Sequence, residues 1–311
     1  MSKLIREIIK DDIPIIIELL QQVLGSGDYL SLSRLGGMTN RSYKVTMKDH
    51  KEYLVRIPGI GTEKLINRLD ERKSTELACK LGLDSALLYF SDEGKKVMTF
   101  IPNDQDTSIV ILKKMENISQ AANIFRKLHS CGEDTGVRFE VFEMASMYEQ
   151  LIEQNSVSLH EDYLVTKKRV MAIKDELDSN IPVKRVPCHN DPLVANWVLD
   201  LNNKLYLIDW EYAGMNEPMW DLSCLSIEAE YTEAEDYALL KMYFEHEPTI
   251  KERKRFVATK LYVDFLWTLW GLTRVPYDGQ FMQKYADCRY KRLKDNIAAY
   301  NKLKHNNVSS N

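Results

Sequence analysis

The residues best suited to chemistry in this sequence lie close together in the string CHNDPLVAN, at positions 188–196. His189, Asp191 and Asn196 follow the pattern H-x-D-x-x-x-x-N. This spacing suits phosphoryl transfer, in which a carboxylate orients an attacking hydroxyl and accepts its proton, while a nearby amide oxygen reaches a Mg²⁺ on the phosphates. We therefore predict that Asp191 is the catalytic base, that Asn196 is a metal ligand and that His189 braces the loop through hydrogen bonds.

A second acid, Asp209, stands where the apolar run LYLI ends, 13 residues after Asn196. An apolar strand that ends in an acid is how kinases present their second Mg²⁺ ligand. A lone H-x-D is common, and an aspartate at a strand end is often only a cap or turn residue. The two features together, at the separation of a hairpin, indicate a site for Mg²⁺ and ATP with Asn196 and Asp209 as metal ligands.

The elements that must position these residues change in character along the chain. Apolar positions at helical spacing predict a helix at 4–24, with Asp11 and Asp12 before Pro14 as its start, and a second helix at 65–81 that Gly82 closes. Short apolar runs between turn residues predict strands at 30–35, 42–47, 52–57, 87–90 and 96–101. After residue 102 the spacing is mostly helical, apart from a strand-rich patch at 185–209.

This order predicts an α+β fold with two lobes, because strands and helices are segregated and no βαβ repeat appears. The first lobe, residues 1–102, is small, rich in strands and suited to binding nucleotide. The second, residues 103–311, is large, mainly helical and suited to catalysis and to binding the acceptor. A chain of 311 residues is long enough for two such cores.

Composition excludes several other classes of protein. The chain has 42 basic and 46 acidic residues, a net charge of −4, which gives no footprint for nucleic acid. Its five scattered cysteines form no CxxC pair, so neither a disulfide framework nor a zinc site is expected. The N-terminus has no signal-peptide pattern and no run spans a membrane, so we expect a cytoplasmic protein without membrane partners. The sequence leaves the oligomeric state open.

The strings CHNDPLVANWVLD and LYLIDWEYAGMNEPMWDLS resemble the choline/ethanolamine kinase and aminoglycoside phosphotransferase superfamily, closest to bacterial choline kinases. The resemblance covers roughly residues 30–300. It implies a protein-kinase-like fold, ATP and Mg²⁺ as cofactors, and an alcohol as acceptor. Trp210 and Glu211 stand where protein kinases have the Phe and Gly of the D-F-G motif.

The resemblance also implies which residues bind the nucleotide. Arg56, in the strand YLVRI, would bind the α- and β-phosphates and pair with Glu71, or else with Glu76. In a stretch as highly charged as NRLDERKSTE, a residue such as Glu71 is usually a solvated helix charge. The turn over the phosphates is similar to LGGMTNRSY, which departs from G-x-G-x-x-G and also reads as a plain hairpin turn. Its candidate contacts are Gly36, Gly37, Thr39, Asn40 and Ser42. Candidate contacts to adenine near the hinge are Met98, Phe100 and Ile101, although core packing explains Met98 and Phe100 as well.

Choline is the acceptor that the sequence favours. A quaternary ammonium cannot donate N–H hydrogen bonds, so aromatic faces and nearby carboxylates recognise it. Trp267 and Trp270 are three residues apart, so they share one helix face, and they resemble the paired tryptophans of choline kinases. Two tryptophans at this spacing are also common in helical cores. The further acceptor candidates are Glu211, Tyr212, Glu228, Glu230 and Tyr231, and Asp221 is expected to brace the catalytic loop.

Two alternatives remain at this stage. The acceptor can be ethanolamine, thiamine, an amino sugar or an aminoglycoside instead of choline. The chain can also be a pseudokinase, a nucleotide-binding module without catalysis. Such modules commonly lack one of the catalytic groups, and this sequence keeps all four, at Arg56, Asp191, Asn196 and Asp209.

Overall fold

The computed structural model of the protein describes residues 3–35, 40–59, 66–179 and 184–306. These residues form two compact units. The first comprises Met1–Thr107 with Ala195–Ala213, and the second comprises Ser108–Val194 with Gly214–Asn311. The first unit thus takes in a segment that the sequence assigned to the second lobe, and the lobe boundary at residue 102 remains a prediction.

The first unit is built on an antiparallel sheet in the order β1-β2-β3-β5-β4. The strands are β1 (Tyr29–Arg34), β2 (Asn40–Met47), β3 (Glu52–Pro58), β4 (Leu87–Phe90) and β5 (Lys96–Thr99). The helix α2 (Arg68–Lys80) lies between β3 and β4 in sequence, and Asn67 caps it by accepting hydrogen bonds from the backbone N–H groups of Leu69 and Asp70. A short hairpin of β7 (Trp197–Leu199) and β8 (Leu205–Leu207) completes the unit.

The helix α1 (Lys3–Leu24) covers one face of this sheet. Its buried residues Ile16 and Leu20 join a core with Tyr43 and other apolar residues of β2, β3 and β5. The sequence-based start of this helix, near Asp11 and Asp12, is wrong, because the helix begins at Lys3 and contains Pro14. Asp12 is instead a buried anchor that accepts hydrogen bonds from Arg41 and from the Tyr43 hydroxyl.

The second unit is mainly helical. Its helices are α3 (Ile109–Leu112), α4 (Met115–His129), α5 (Val141–Gln154), α6 (Tyr163–Asp178), α7 (Pro218–Glu228), α8 (Glu233–Phe244), α9 (Ile250–Asp278) and α10 (Gln280–Asn306). The strands β6 (Val186–Cys188) and β9 (Gly214–Asn216) pair in an antiparallel ladder. Together, the sheet of the first unit and the helices of the second confirm the predicted α+β class.

Within the described part of the chain, no helix is both long enough and apolar enough to cross a membrane.

Candidate active site

The catalytic loop begins where β6 ends, and a single buried carboxylate holds its backbone. Asp221, fully buried on α7, accepts hydrogen bonds from the backbone N–H groups of His189 (2.8 Å) and Asn190 (2.7 Å). The backbone N–H of Asp191 donates to Nδ1 of His189 at 3.2 Å. Through these contacts Asp221 and His189 hold the backbone of the loop, and the catalytic roles assigned to the loop remain predictions. The backbone N–H groups of residues 189–191 are therefore all hydrogen-bonded, which fixes the backbone that carries Asp191.

Asn190 shapes the turn of this loop. Its φ of +67° lies in the left-handed region, which is uncommon for residues other than glycine. The surroundings hold it there: Trp220 donates its indole N–H to the Asn190 carbonyl at 2.8 Å, and Asn216 donates to the Asn190 side chain at 2.9 Å. Strain of this kind persists only where neighbouring groups impose it, and it clusters at functional sites.

Two buried cysteines line the same loop. The Cys188 thiol donates to the Glu217 carbonyl, and the Cys224 thiol donates to the Asn190 carbonyl. Burial, reinforced by the charge of Asp221, raises the pKa of both thiols well above its usual value. Both side chains therefore stay protonated and serve packing.

Cys188, Asp221 and His129 have ligand atoms close enough together to hold a metal ion. Their hydrogen bonds argue against that role. His129 uses Nε2 towards Asp221 at 3.0 Å and Nδ1 towards the Tyr243 hydroxyl at 2.9 Å, and the Cys188 thiol donates to the Glu217 carbonyl. The three residues form a hydrogen-bonded support for the loop.

The β7–β8 hairpin presents the two candidate metal ligands. Asn196 immediately precedes β7, and its carbonyl accepts a hydrogen bond from Ile208 N–H at 2.9 Å. Asp209 follows Ile208 and has a φ of +66°. The pairing of the strands therefore brings residues 13 positions apart to the same end of one hairpin, as their separation predicted.

Arg56 and Glu71 form the predicted buried ion pair. Lys96, which lies opposite Arg56 in the β3–β5 register, approaches the same carboxylate at 3.5 Å. Burial alone favours the neutral acid, but Arg56 and Lys96 outweigh it and lower the pKa of Glu71 to about 2. Nε of Arg56 is buried and has no hydrogen-bond partner in the described part of the chain. Such an orphaned cationic donor fits a phosphate oxygen.

Carboxylate oxygens of Glu71, Asp209 and Glu211 lie within 4.8 Å of one another. Carboxylate and amide oxygens are the donors that Mg²⁺ prefers, so this end of the first unit fits the divalent cation implied by the sequence. Arg68 donates to Glu71 at 2.7 Å and to Glu211 at 3.3 Å. We call this group the Arg56 cluster; its members are Arg56, Arg68, Glu71, Lys96, Asp209 and Glu211.

The remaining nucleotide candidates lie on strands of the same unit. Asn40 donates to Glu211 at 2.9 Å, and Ser42 lies opposite Arg56 in the β2–β3 register. Met98 is buried, whereas the half-buried Phe100 carries Lys44 Nζ 4.4 Å from its ring centroid. The half-buried Ile101 follows Phe100. The candidates Gly36, Gly37 and Thr39 lie outside the described residues.

Three aromatic side chains of α9 and α10 lie side by side. The rings of Trp267 and Trp270 meet edge to face with centroids 5.7 Å apart, and the Tyr285 ring lies 5.9 Å from Trp270. Gly271 permits this packing, because a Cβ there would come within 2.8 Å of the Tyr285 ring. We call Trp267, Trp270 and Tyr285 the aromatic set.

The aromatic set is linked to the catalytic loop through electrostatics. Burial raises the pKa of the Tyr285 hydroxyl, and the negative charge of Asp191 adds to the increase. The same two effects raise the pKa of Tyr148 on α5. The second unit therefore brings Asp191 into the surroundings of two tyrosines, one of which touches the predicted tryptophan pair.

The other acceptor candidates have different surroundings. Glu228 forms an ion pair with Arg289, and Glu230 is exposed at the end of α7 with a φ of +51°. The Tyr231 hydroxyl donates to the carbonyl of Leu112 at 2.9 Å. Tyr212 is half-buried, just after Glu211 in the first unit. Their predicted roles towards the acceptor remain predictions.

Sequence reasoning missed four residues of these sites: Arg68, Lys96, Tyr148 and Tyr285. Arg68 had a visible signal, since it stands three residues before Glu71 on a predicted helix. Lys96 required the β3–β5 register, and the two tyrosines required the packing of helices distant in sequence.

Comparison with known proteins supports the kinase family that the sequence resembles. A family model described as choline/ethanolamine kinase matches residues 33–266. A choline/ethanolamine kinase family protein from Mesorhizobium loti is 31% identical, with a TM-score of 0.79 over 91% of this chain and 97% of that chain. The choline kinase LicA from Streptococcus pneumoniae is 32% identical, with a TM-score of 0.77 over 91% of this chain and 99% of that chain. Protein LicA from Haemophilus influenzae is 27% identical over 278 residues, covering 86% of this chain and 80% of that protein.

These findings confirm the predicted family and its protein-kinase-like fold. The matched segment includes the loop with Asp191, the hairpin with Asn196 and Asp209, and the strand with Arg56. Choline and ethanolamine, which the family description names, are both alcohols, and kinases of this family use ATP as the phosphate donor. The chain belongs to the choline/ethanolamine kinase family and is a phosphotransferase with an alcohol group as acceptor.

Proposed function

We propose that the protein transfers the γ-phosphate of ATP to the hydroxyl of choline, in a reaction that requires Mg²⁺. The aromatic set carries this proposal, because Trp267, Trp270 and Tyr285 lie together and Tyr285 is within the electrostatic reach of Asp191. The likeness to two LicA proteins, one of them described as a choline kinase, supports the same acceptor.

The chemistry of the aromatic set suits a trimethylammonium group. Ring faces attract a cation through their quadrupole, and the attraction needs no N–H donor on the ligand. Trp270 has one further property: its indole nitrogen is buried without a hydrogen-bond partner among the described residues. The polar edge of this ring is therefore not engaged in holding the fold together.

Asp191 is the proposed base. Phosphoryl transfer depends mainly on positioning and on charge stabilisation, so the base must be fixed before the substrate arrives. The hydrogen bonds from the loop backbone to Asp221 supply that rigidity. Asp191 would orient the choline hydroxyl and accept its proton as the phosphate is transferred.

The Arg56 cluster is the proposed site for the triphosphate. Arg56 would bind phosphate oxygens through its orphaned Nε, while Glu71 holds its guanidinium in place. Asn196 and Asp209 would hold Mg²⁺, which supplies charge neutralisation at the β- and γ-phosphates when bound.

The decisive experiment measures ADP release from Mg-ATP with a series of acceptors that differ only in N-methylation. The series is ethanolamine, its N-methyl and N,N-dimethyl derivatives, and choline. Recognition by aromatic faces predicts that kcat/KM rises with each methyl group, because the cation loses N–H groups that water solvates. A rate that falls with methylation would reject choline.

Ethanolamine is the second candidate, because the matching family model covers both alcohols. Thiamine and kanamycin complete the panel for the remaining alternatives. Activity on one of these alone would keep the kinase assignment and move the acceptor. If no acceptor in the panel supports ADP release, the pseudokinase alternative is favoured.

A further inference from the structure

Arg68 stands at an unfavourable place for a cation. It is the first residue of α2, where the partial positive charge of the helix N-terminus repels basic side chains. Its side chain is also buried, with only 8% of its surface exposed. Burial of a guanidinium requires partners that compensate for lost hydration. The contacts of Arg68 therefore explain why the chain keeps an arginine there.

Those contacts reach two acids from different segments. Nη1 of Arg68 donates to Glu71 at 2.7 Å, one helical turn along α2, and to Glu211 at 3.3 Å, in the segment after β8. Glu71 holds Arg56, and Glu211 stands two residues after Asp209. One guanidinium thus links the acid that fixes the phosphate-binding cation to the acid beside a candidate metal ligand.

The turn between β4 and β5 is shaped around this arginine. Gly94 has a φ of +89°, and a Cβ on it would lie 2.5 Å from Cδ of Arg68. The carbonyl of the same glycine accepts a hydrogen bond from Arg56 at 3.1 Å. Gly94 therefore makes room for one arginine of the Arg56 cluster and holds the other.

From these observations we infer that Arg68 is a positioning residue, which fixes Glu71 and Glu211 so that the phosphate-binding and metal-binding groups of the first unit keep one arrangement. The inference rests on the proposed function. Position and not charge alone carries the role, because a single nitrogen at the end of the rigid guanidinium, Nη1, contacts both acids. A lysine keeps the charge, but its shorter side chain ends before the position that Nη1 occupies between the two acids.

The test compares Arg68→Lys and Arg68→Met with Arg72→Met. Arg72 is the matched control, because it lies on the same helix and forms an exposed pair with Glu76. The first readout is the affinity for Mn·ADP, which is measured by water-proton relaxation and needs no acceptor. The others are kcat, the KM for choline and the thermal midpoint.

We expect both Arg68 variants to bind Mn·ADP about 10- to 100-fold more weakly and to lose kcat by a similar factor, as residues that orient metal ligands do. The KM for choline is expected to stay within about twofold, because Arg68 belongs to the first unit. Arg72→Met is expected to match the wild type. Gly94→Ala, which crowds the same side chain, is expected to weaken Mn·ADP binding as well.

Three results would overturn the inference. One is Mn·ADP affinity in both Arg68 variants equal to that of Arg72→Met. Another is wild-type Mn·ADP affinity and kcat in Arg68→Lys, which would reduce the role to charge. The third is weaker Mn·ADP binding together with a higher KM for choline and a lower thermal midpoint, which would make Arg68 a folding residue. A wild-type protein that binds Mn·ADP but phosphorylates no choline would reject the acceptor and leave the Arg68 comparison intact.

Discussion

The Arg56 cluster and the aromatic set solve opposite problems of recognition. In the described part of the first unit, the Arg56 cluster contains three cations and three acids. Nearly every contact between them is an ion pair. The aromatic set is joined by ring contacts between two long helices. Ion pairs fix direction and distance for a polyanion, whereas ring faces accept a cation that offers no hydrogen bond. Changes at the two places are therefore expected to have different signatures.

The largest expected effect lies at Asp191. Asp191→Ala removes the proposed base, which is expected to lower kcat by about 10²–10⁴-fold. Binding of ADP is expected to persist, because the Arg56 cluster is untouched. Single-turnover phosphorylation and ADP titration measure the two quantities. Near-normal turnover in this variant would show that another group accepts the proton.

Glu71 tests the Arg56 cluster itself. Glu71→Gln leaves Arg56, Lys96 and Arg68 with a neutral partner, and loss of one member of a buried pair costs about 3–5 kcal/mol of unfolding free energy. The KM for ATP is expected to rise as well. Urea denaturation measures the unfolding free energy of this variant and of the control Glu76→Gln. The difference gives the effect of burial, since the exposed Arg72–Glu76 pair contributes only about 0–1 kcal/mol. Equal losses in both variants would contradict the special role of Glu71.

Trp270 tests the aromatic set. Trp270→Ala removes one face from a cation site, which is expected to raise the KM for choline about 5- to 30-fold. The KM for ATP is expected to stay within about twofold, because the nucleotide is proposed to bind the other unit. Initial-rate kinetics at saturating co-substrate give both values. Parallel increases in the two would return Trp270 to a purely structural role.

The last expected effect is on stability and concerns Asp84, a buried carboxyl of the first unit. Burial raises its pKa to about 6, with a further contribution from the charge of Asp209. Because the folded-state pKa lies above the unfolded value, ionisation opposes folding: the penalty is absent below about pH 4, grows towards pH 6 and is complete above it. Asp84→Asn is therefore expected to gain about 1–3 kcal/mol over the wild type between pH 4 and pH 7. Urea unfolding at both pH values checks this, and a pH-independent difference would refute it.

The two regions also differ in what their sequence reveals. Asp191, Asn196 and Asp209 were predictable because the chemistry fixes their spacing along a short stretch of chain. The Arg56–Glu71 pair followed from the family resemblance. Lys96 and Tyr285 were not predictable, because strand register and the helix approach permitted at Gly271 depend on packing across the whole unit. Pro14 misled the reading of α1, because packing on the sheet outweighs the one backbone hydrogen bond that a proline removes.

The two protonated thiols beside the catalytic loop have a consequence for labelling experiments. Cys188 and Cys224 are shielded in the folded protein, whereas Cys288 on α10 is exposed. An alkylating reagent will therefore modify Cys288 at once and the other two only when the loop opens. With Cys288 and the half-buried Cys79 and Cys131 replaced by serine, the slow alkylation rate of the remaining two thiols counts spontaneous openings of the loop. Comparing that rate with turnover would show whether the segment that carries Asp191 stays closed through many catalytic cycles.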